Sequence, residues 1–138
     1  MIAVDTNILV YRLDSQEPAK RNRARELLAR LAVDPQAVLL WQVLGELIRQ
    51  LRYWEDQKQI TSATLRRYVR VFRGLFPLAM PTPEVVDHAL ALAARYSLSH
   101  WDSMLLGACK VASVTTLYTE DMGAPARYDN IELVNPFL

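Results

Sequence analysis

Cysteine and histidine are scarce in this chain, and long apolar runs are missing. A single cysteine, Cys109, allows no disulfide within the chain, and two histidines without further cysteines offer no zinc site. No apolar stretch approaches the roughly 20 residues that a membrane-spanning helix needs. The N-terminal segment lacks the basic region, apolar region and cleavage site of a secretory signal. We therefore expect a reduced, soluble protein of the cytoplasm that does not bind a membrane.

The chain also lacks repeats, low-complexity segments and charged tails. Its 138 residues fit one domain over 1–138, and 51% apolar residues suffice for a core without a disulfide or metal. The net charge is +1, but basic residues predominate up to residue 73 and acidic residues predominate after it. This asymmetry suits an enzyme that attracts a polyanion with one region and holds a cation with another. Ordinary solvated helix faces would produce the same asymmetry.

Short apolar runs alternate with helical periodicity along the chain. Five strands are predicted, at 2–4, 37–40, 78–80, 115–118 and 131–134. The predicted helices lie between them, at 6–13, 18–33, 42–53, 62–73, 83–95 and 99–113. This alternation is typical of a three-layer α/β/α fold with a central, mostly parallel sheet of four to five strands. In such a sheet, ligands bind beyond the carboxyl ends of the strands.

Two acidic residues stand where predicted strands end. Asp5 follows the first strand in the segment Asp5-Thr6-Asn7, and Asp121 follows the fourth strand in the segment Thr119-Glu120-Asp121. Because the carboxyl ends of parallel strands meet at one edge of the sheet, the two acids can converge there. The alternative is that each acid only caps the helix that follows it.

Two further acids lie on predicted helices. Asp102 shares a helix face with Leu105 and Leu106, so its carboxylate would point toward the core. Such burial is costly unless a cation or hydrogen-bond donors meet the carboxylate. The alternative is a capping box that Asp102 forms with Ser99. Glu46 lies beside the apolar stripe of its helix, and its local pattern favours a solvated polar face.

Together, these four acids predict a metal site. Several carboxylates cannot stay ionised side by side without a cation. Mg²⁺ and Mn²⁺ prefer oxygen ligands, and such an ion can activate water and hold a phosphate for in-line attack. We therefore expect Asp5, Glu46, Asp102 and Asp121 to bind Mg²⁺, for which Mn²⁺ can substitute.

The segments around the acids resemble the four acidic motifs of the PIN-domain ribonucleases. The matching segments are Asp5-Thr6-Asn7, Gln42-Val43-Leu44-Gly45-Glu46, Trp101-Asp102-Ser103 and Thr119-Glu120-Asp121, with a similar tail at Leu133-Val134-Asn135-Pro136-Phe137. Within that family the chain most resembles the VapC toxins of type II toxin–antitoxin systems, over nearly its whole length. The resemblance implies a five-stranded parallel sheet. It also implies Mg²⁺- or Mn²⁺-dependent RNA cleavage that leaves 5′-phosphate and 3′-hydroxyl ends.

The resemblance also implies the role of each site residue. Asp5 and Asp102 would be the principal metal ligands, and Glu46 and Asp121 would complete the catalytic cluster. Three polar side chains would support that cluster: Thr6, Asn7 and Thr119. Among these, Asn7 would orient Asp5, and the hydroxyl of Thr119 would contact the cluster.

The resemblance further implies an RNA substrate, a small antitoxin protein that covers the site, and a homodimer. Arg49 and Arg52, together with the aromatic residues that follow them, would contact phosphates and stack on bases. The arginines at 66, 67, 70 and 73 would extend that track, and a solvated helix face is the alternative. The chain departs from many family members at Leu40-Trp41, where they carry a serine, and at Gly45, which is unusual within a helix.

Two other classes of function remain open from the residues. A phosphatase of the haloacid dehalogenase type would use Asp5 as nucleophile and Lys110 as its partner. Its metal ligands would be Glu120 and Asp121, but such enzymes carry a second aspartate where Asn7 stands. A non-catalytic α/β binding module, such as a receiver-like domain, would leave the acids structural, and failure to bind Mn²⁺ would favour it.

Overall fold

The computed structural model describes residues 1–123 and 126–138, and its strands and helices alternate as the sequence predicts. The strands are β1 (Ile2–Val4), β2 (Leu39–Leu40), β3 (Leu78–Ala79), β4 (Thr116–Tyr118), β5 (Arg127–Tyr128) and β6 (Ile131–Val134). The helices are α1 (Thr6–Leu13), α2 (Pro18–Ala32), α3 (Trp41–Asp56), α4 (Ser62–Leu75), α5 (Glu84–Tyr96) and α6 (His100–Val111).

The central sheet has four strands in the order β1-β4-β6-β5. Strands β1, β4 and β6 are parallel, with Ala3 opposite Leu117 and Leu117 opposite Leu133. Strands β2 and β3 form a separate parallel pair, which a bridge between Ile2 and Ala37 connects to β1. The prediction of an α/β fold with a mostly parallel central sheet is therefore confirmed.

Two features differ from the parallel five-stranded sheet that the resemblance implies: β2 and β3 pair apart from the central sheet, and β5 runs antiparallel to β6. Strand β5 consists of an exposed arginine and a tyrosine, so it gives neither an apolar run nor a period in the sequence. It lies at one end of the four-stranded sheet, and just before it the carbonyl of Ala126 accepts a bond from the Leu133 amide at 2.8 Å. At the other end of the strand array, Pro77 and Pro81 flank β3.

The core forms where the helices cover the sheet. Leu117 in β4 is completely buried, as are Ile8, Leu47 and Leu106 in three different helices. This pattern follows from the apolar stripes of the helices, because each stripe loses its exposure to water only against the sheet or a neighbouring helix. Among the helices that the structure describes, none combines the length and apolar character needed to cross a membrane.

The helix ends agree with the sequence prediction to within a few residues. The Ser99 hydroxyl caps α6 by accepting from the Asp102 amide at 3.4 Å, as the capping interpretation predicts. Helix α5 begins at Glu84, one residue later than predicted, so Pro83 occupies its capping position. Helix α3 begins directly after β2 and is longer at both ends than predicted.

Helices α5 and α6 pack very closely at Gly107. A β-carbon at this position would lie 2.6 Å from the Val85 carbonyl oxygen and 3.1 Å from the Ala89 amide nitrogen. Both atoms belong to the backbone of α5, so they cannot move aside like a flexible side chain. The missing side chain of Gly107 thus sets the position of α6, which carries Asp102 in its first turn.

Candidate active site

Asp5 lies at the carboxyl end of β1 and is buried, with 7% of its surface exposed. Its Oδ1 accepts from the Thr6 amide at 2.7 Å, so it caps α1 as the structural alternative predicts. Its Oδ2 accepts from the Thr119 hydroxyl at 2.8 Å. Thr119 follows β4, which pairs with β1, and therefore the parallel register brings these two side chains together. One carboxylate is thus both a helix cap and a candidate ligand.

Asp121 is exposed and lies two residues beyond Thr119 on the same loop. Its backbone amide donates to the Thr119 hydroxyl at 3.0 Å. Its Oδ2 accepts from the side-chain amide of Asn7 at 3.0 Å. The expectation that Asn7 orients Asp5 is corrected here, because its amide group reaches Asp121 instead. Asn7 and Asp121 therefore hold each other, and the Asp121 amide reaches Asp5 through the Thr119 hydroxyl.

Glu46 projects from α3 toward the start of α1. Its Oε2 accepts from the Thr6 hydroxyl at 2.9 Å, and its Oε1 accepts from the Gln42 side chain at 2.9 Å. The same Gln42 amide donates to the carbonyl of Trp101 at 3.2 Å. The local interpretation of Glu46 as part of a solvated polar face is therefore wrong. Gln42 is a functional candidate that sequence reasoning missed, although its spacing four residues before Glu46 on a helix was a signal.

Asp102 lies in the first turn of α6 and is half-buried rather than directed fully into the core. The residue before it, Trp101, is the one whose carbonyl accepts from Gln42, so the start of α6 lies against the start of α3. Burial raises the pKa of Tyr128, and the negative charge of Asp102 raises it further. The Asp102 carboxylate therefore acts electrostatically on the sheet end that carries β5.

The acids interact unfavourably at Asp5. Burial raises the pKa of Asp5 to about 6, against the lowering effect of its hydrogen bonds from Thr119 and Thr6. The charges of Glu46 and Asp121 are smaller contributions to the same rise. The structure thus places the charges of two other predicted acids, Glu46 and Asp121, close enough to act on Asp5, and a bound cation would relieve this repulsion.

The donor chemistry of these acids fits a hard divalent ion. All candidate ligands are carboxylate oxygens, and burial raises the pKa of the nearby Cys109 thiol, which keeps it protonated. Within residues 1–123 and 126–138, no three acidic, histidine or cysteine side chains are grouped closely enough to enclose an ion. Mg²⁺ does not require such a cage, because it usually takes one or two carboxylates and keeps several waters.

A cavity of about 1200 Å³ opens beside Glu46, Thr6 and Asn7. Its lining includes Arg49 and the exposed side chains of several aromatic residues, namely Trp41, Tyr53 and Trp101. Arg52 is exposed on α3 outside this lining. Of the two arginines predicted to contact a substrate, only Arg49 therefore lies in the cavity beside the acids.

A polar cluster anchors the loop that carries Asp121. Lys20 forms an ion pair with Glu120, and the Tyr11 hydroxyl donates to the same carboxylate at 2.6 Å. Burial raises the pKa of Glu120, but the bonds from Lys20 and Tyr11 outweigh this effect and lower it. The Tyr11 ring meets Phe137 edge-on at 5.1 Å. Side chains of α1 and α2 thus hold the loop in place, and the C-terminal tail packs against Tyr11.

The structure does not support the phosphatase alternative, because Lys110, the proposed partner of Asp5, binds another residue. Lys110 donates to Asp129 at 2.6 Å, in a cluster that also contains Arg95 and Tyr96. The lysine is therefore engaged at the β5–β6 turn instead of beside Asp5. Asp129 acts there as a structural anchor of the turn.

The sequence profile of the PIN domain matches residues 2–129, so this chain belongs to the PIN-domain family. Nucleases of this family generally use divalent metal ions. A search of curated proteins by sequence finds no significant match.

Solved structures with the same fold align over nearly the whole chain. A toxin–antitoxin complex from Klebsiella pneumoniae has a TM-score of 0.71 at 18% identity, covering 99% of this chain and 98% of that one. VapBC2 from Rickettsia felis, bound to a DNA fragment from its promoter, has a TM-score of 0.71 at 19% identity, covering 98% of each chain. VapC20 from Mycobacterium tuberculosis, a sarcin-ricin loop cleaving toxin, has a TM-score of 0.68 at 16% identity, covering 96% and 99%.

The raised pKa of Asp5 predicts how stability changes with pH in the metal-free protein. Between the ordinary pKa of 3.8 and about 6, the folded state binds a proton that the unfolded state releases. Rising pH through this window therefore removes up to about 3 kcal/mol of stability. In Asp5→Asn this loss should vanish, and added Mg²⁺ should reduce it in the natural protein by binding the ionised form. Urea unfolding of both proteins from pH 4 to 7 measures the difference. A constant difference across that range would contradict the prediction.

Proposed function

We propose that this protein is a metal-dependent endoribonuclease and the toxin of a VapBC-type toxin–antitoxin pair. The observation that carries the proposal is the setting of Asp5, a buried carboxylate held by Thr6 and Thr119 among the charges of Glu46 and Asp121. Membership of the PIN-domain family supports nuclease chemistry. The similar solved structures, which include toxin–antitoxin complexes and an RNA-cleaving toxin, support the toxin role.

Asp5 and Asp102 would be the principal metal ligands, with Glu46 and Asp121 completing the cluster. Mg²⁺, or Mn²⁺ in its place, would supply a water of lowered pKa and neutralise charge on the phosphate. The hydrolysis adds the water oxygen to phosphorus and breaks the bond to the 3′ oxygen. The products then carry a 5′-phosphate and a 3′-hydroxyl.

The polar neighbours of the acids hold them in place for this reaction. Both oxygens of Asp5 already accept hydrogen bonds, so its carboxylate plane is fixed before a ligand binds. Glu46 is held in the same way by Thr6 and Gln42. Because the carboxylates are oriented in advance, little conformational entropy is lost when an ion and a phosphate bind. Arg49 lies in the adjoining cavity, where its guanidinium can contact a substrate phosphate.

The nuclease part is tested by incubating the purified protein with single-stranded RNA in Mg²⁺, in Mn²⁺ and in EDTA. We expect cleavage with either metal and none in EDTA, because the clustered carboxylates need a cation to bind a polyanion. Products should be ligatable through their 5′-phosphates. Cleavage that persists in EDTA, or products with 2′,3′-cyclic phosphates, would contradict a metal-activated water.

The toxin part is tested in a bacterial host. Expression of the chain alone should arrest growth, and co-expression of the small protein encoded next to it should restore growth and form a complex. Harmless expression of an active nuclease would contradict the toxin role while leaving the chemistry intact. The homodimer and the cytoplasmic location belong to the same proposal, and light scattering of the purified protein tests the dimer.

A further inference from the structure

A second cavity, of about 390 Å³, lies between α1, α2 and α4. Four arginines line it and are called here the arginine pocket: Arg12, Arg21, Arg25 and Arg67. The remaining lining is apolar or aromatic and includes Leu28, Phe72 and Tyr68, and none of the described acidic residues belongs to it. The cavity thus has a strongly positive rim above an apolar floor.

None of the four arginines of the pocket forms an ion pair within the described part of the chain. The ion pairs found among the described residues are formed by other cations: Lys20, Arg95, Lys110 and Arg127. Arg25 donates to the neutral side chain of Asn22 at 2.5 Å, and Arg67 lies over the Tyr68 ring at 5.7 Å. Four like charges around one cavity repel one another unless an anion joins them. The pocket is therefore built to receive a negatively charged ligand.

The shape and chemistry of the pocket favour a nucleic acid strand among possible anions. Guanidinium groups bind phosphate oxygens through paired hydrogen bonds. The aromatic ring of Tyr68 and the apolar floor offer a surface for an unpaired base, which stacks on aromatic side chains and on guanidinium planes. Small inorganic anions would use the arginines but not the apolar floor.

The pocket is close to the candidate active site along the chain. Thr6 and Asn7, in the first turn of α1, contact the acids, whereas Arg12 in the last turn lines the arginine pocket. Six residues of helix span roughly 9 Å along the axis. A strand bound at the acids therefore needs only a few more nucleotides to reach the arginines.

We propose that the arginine pocket is a second RNA-binding site, which holds the substrate strand away from the position of cleavage. The proposal rests on the ribonuclease function proposed above. It assigns Arg12, Arg21, Arg25 and Arg67 to phosphate contacts, and Tyr68 with the apolar floor to one base. Of the arginines predicted to form a track along α4, only Arg67 lines the pocket.

The test measures RNA binding separately from cleavage. In an Asp5→Asn background, Arg21→Gln combined with Arg67→Gln should weaken binding of an RNA of about 30 nucleotides by roughly tenfold to a hundredfold. The slope of log Kd against log salt should fall by about 1.4, since each lost phosphate contact contributes about 0.7 on single strands. The matched control is Arg30→Gln with Arg73→Gln, exposed arginines of α2 and α4 outside the pocket, which should have little effect.

Short substrates distinguish this site from the active site. With Asp5 intact, the Arg21 and Arg67 variants should cleave an oligonucleotide of about six residues normally, because it cannot span both sites. They should show a raised KM and an unchanged kcat on the long RNA. Equal losses in pocket and control variants would overturn the proposal. Pocket variants that bind the long RNA normally would also overturn the proposal. If those variants at the same time no longer bind an acidic protein partner, the pocket is a protein-docking site. If the protein cleaves no RNA but the pocket variants weaken RNA binding as predicted, the proposed catalysis is wrong and the RNA-binding role of the pocket is supported.

Discussion

Replacing Asp5 by asparagine is expected to abolish metal-dependent RNA cleavage while the protein stays folded. Asparagine has nearly the same shape and can still accept the Thr6 amide, but it carries no charge for a cation. The loss should reach at least about a hundredfold, the scale seen when one preorganised electrostatic group is removed from an active site. Unfolding stability at pH 7 should be equal or higher, because the buried charge of Asp5 is unfavourable.

Asp102→Asn should give the same loss of cleavage, and its fold should also persist because the Ser99 cap uses the backbone amide of residue 102. Asp87→Asn, which changes an exposed acid on α5, is the matched control and should remain fully active. Cleavage assays on labelled RNA, Mn²⁺ calorimetry and thermal melts of the three variants decide the matter. Full activity in either of the first two variants would remove that residue from the catalytic cluster.

Gly107→Ala is expected to cause the largest loss of stability among conservative changes. The added methyl group would collide with the backbone of α5 at Val85 and Ala89, so the two helices must separate. Overpacking of this kind costs about 1–3 kcal/mol, even though alanine is by itself the better helix former. Because α6 carries Asp102, RNA cleavage should also fall.

The matched controls are Gly45→Ala and Gly74→Ala, since both glycines lie within helices and a β-carbon there meets nothing within 4 Å. Each should raise stability by up to about 1 kcal/mol. Urea unfolding of the three variants measures these differences. A neutral or stabilising Gly107→Ala would mean that α5 and α6 can move apart freely.

Most of the fold could be predicted from the sequence because local patterns determine it. The β-branched run before Asp5 indicates a strand, and the apolar stripes of the long helices are strong periodic signals. The Ser99 cap has a recognisable sequence pattern. Strand β5 could not be predicted, because Arg127–Tyr128 lacks the apolar run that marks the equally short strands β2 and β3. The Pro83 cap shifted by one residue, which lies within the usual uncertainty of helix ends.

The candidate site was predictable as a set of residues but not as a set of contacts. Glu46 shows the limit most clearly: its neighbours along α3 indicate a solvated position, but the hydroxyl of Thr6, forty residues earlier in the chain, donates to its carboxylate. The partner of Asn7 was misassigned for the same reason, since Asp121 lies far along the chain. The resemblance to a family indicated which acids form one group. Which side chain donates a hydrogen bond to each acid is decided by tertiary packing.

The two ends of the strand array bear on how copies of this protein behave toward one another. An open strand exposes unpaired backbone groups to which a second chain can add, and this is a common route to aggregation. Here β5 pairs with the outer side of β6 and, with only two residues, has very little open edge of its own. At the other end, the prolines beside β3 have no backbone N–H to donate to a second chain. A dimer of this chain should therefore form through its helices, and a high concentration of free protein should not grow into continuous sheets.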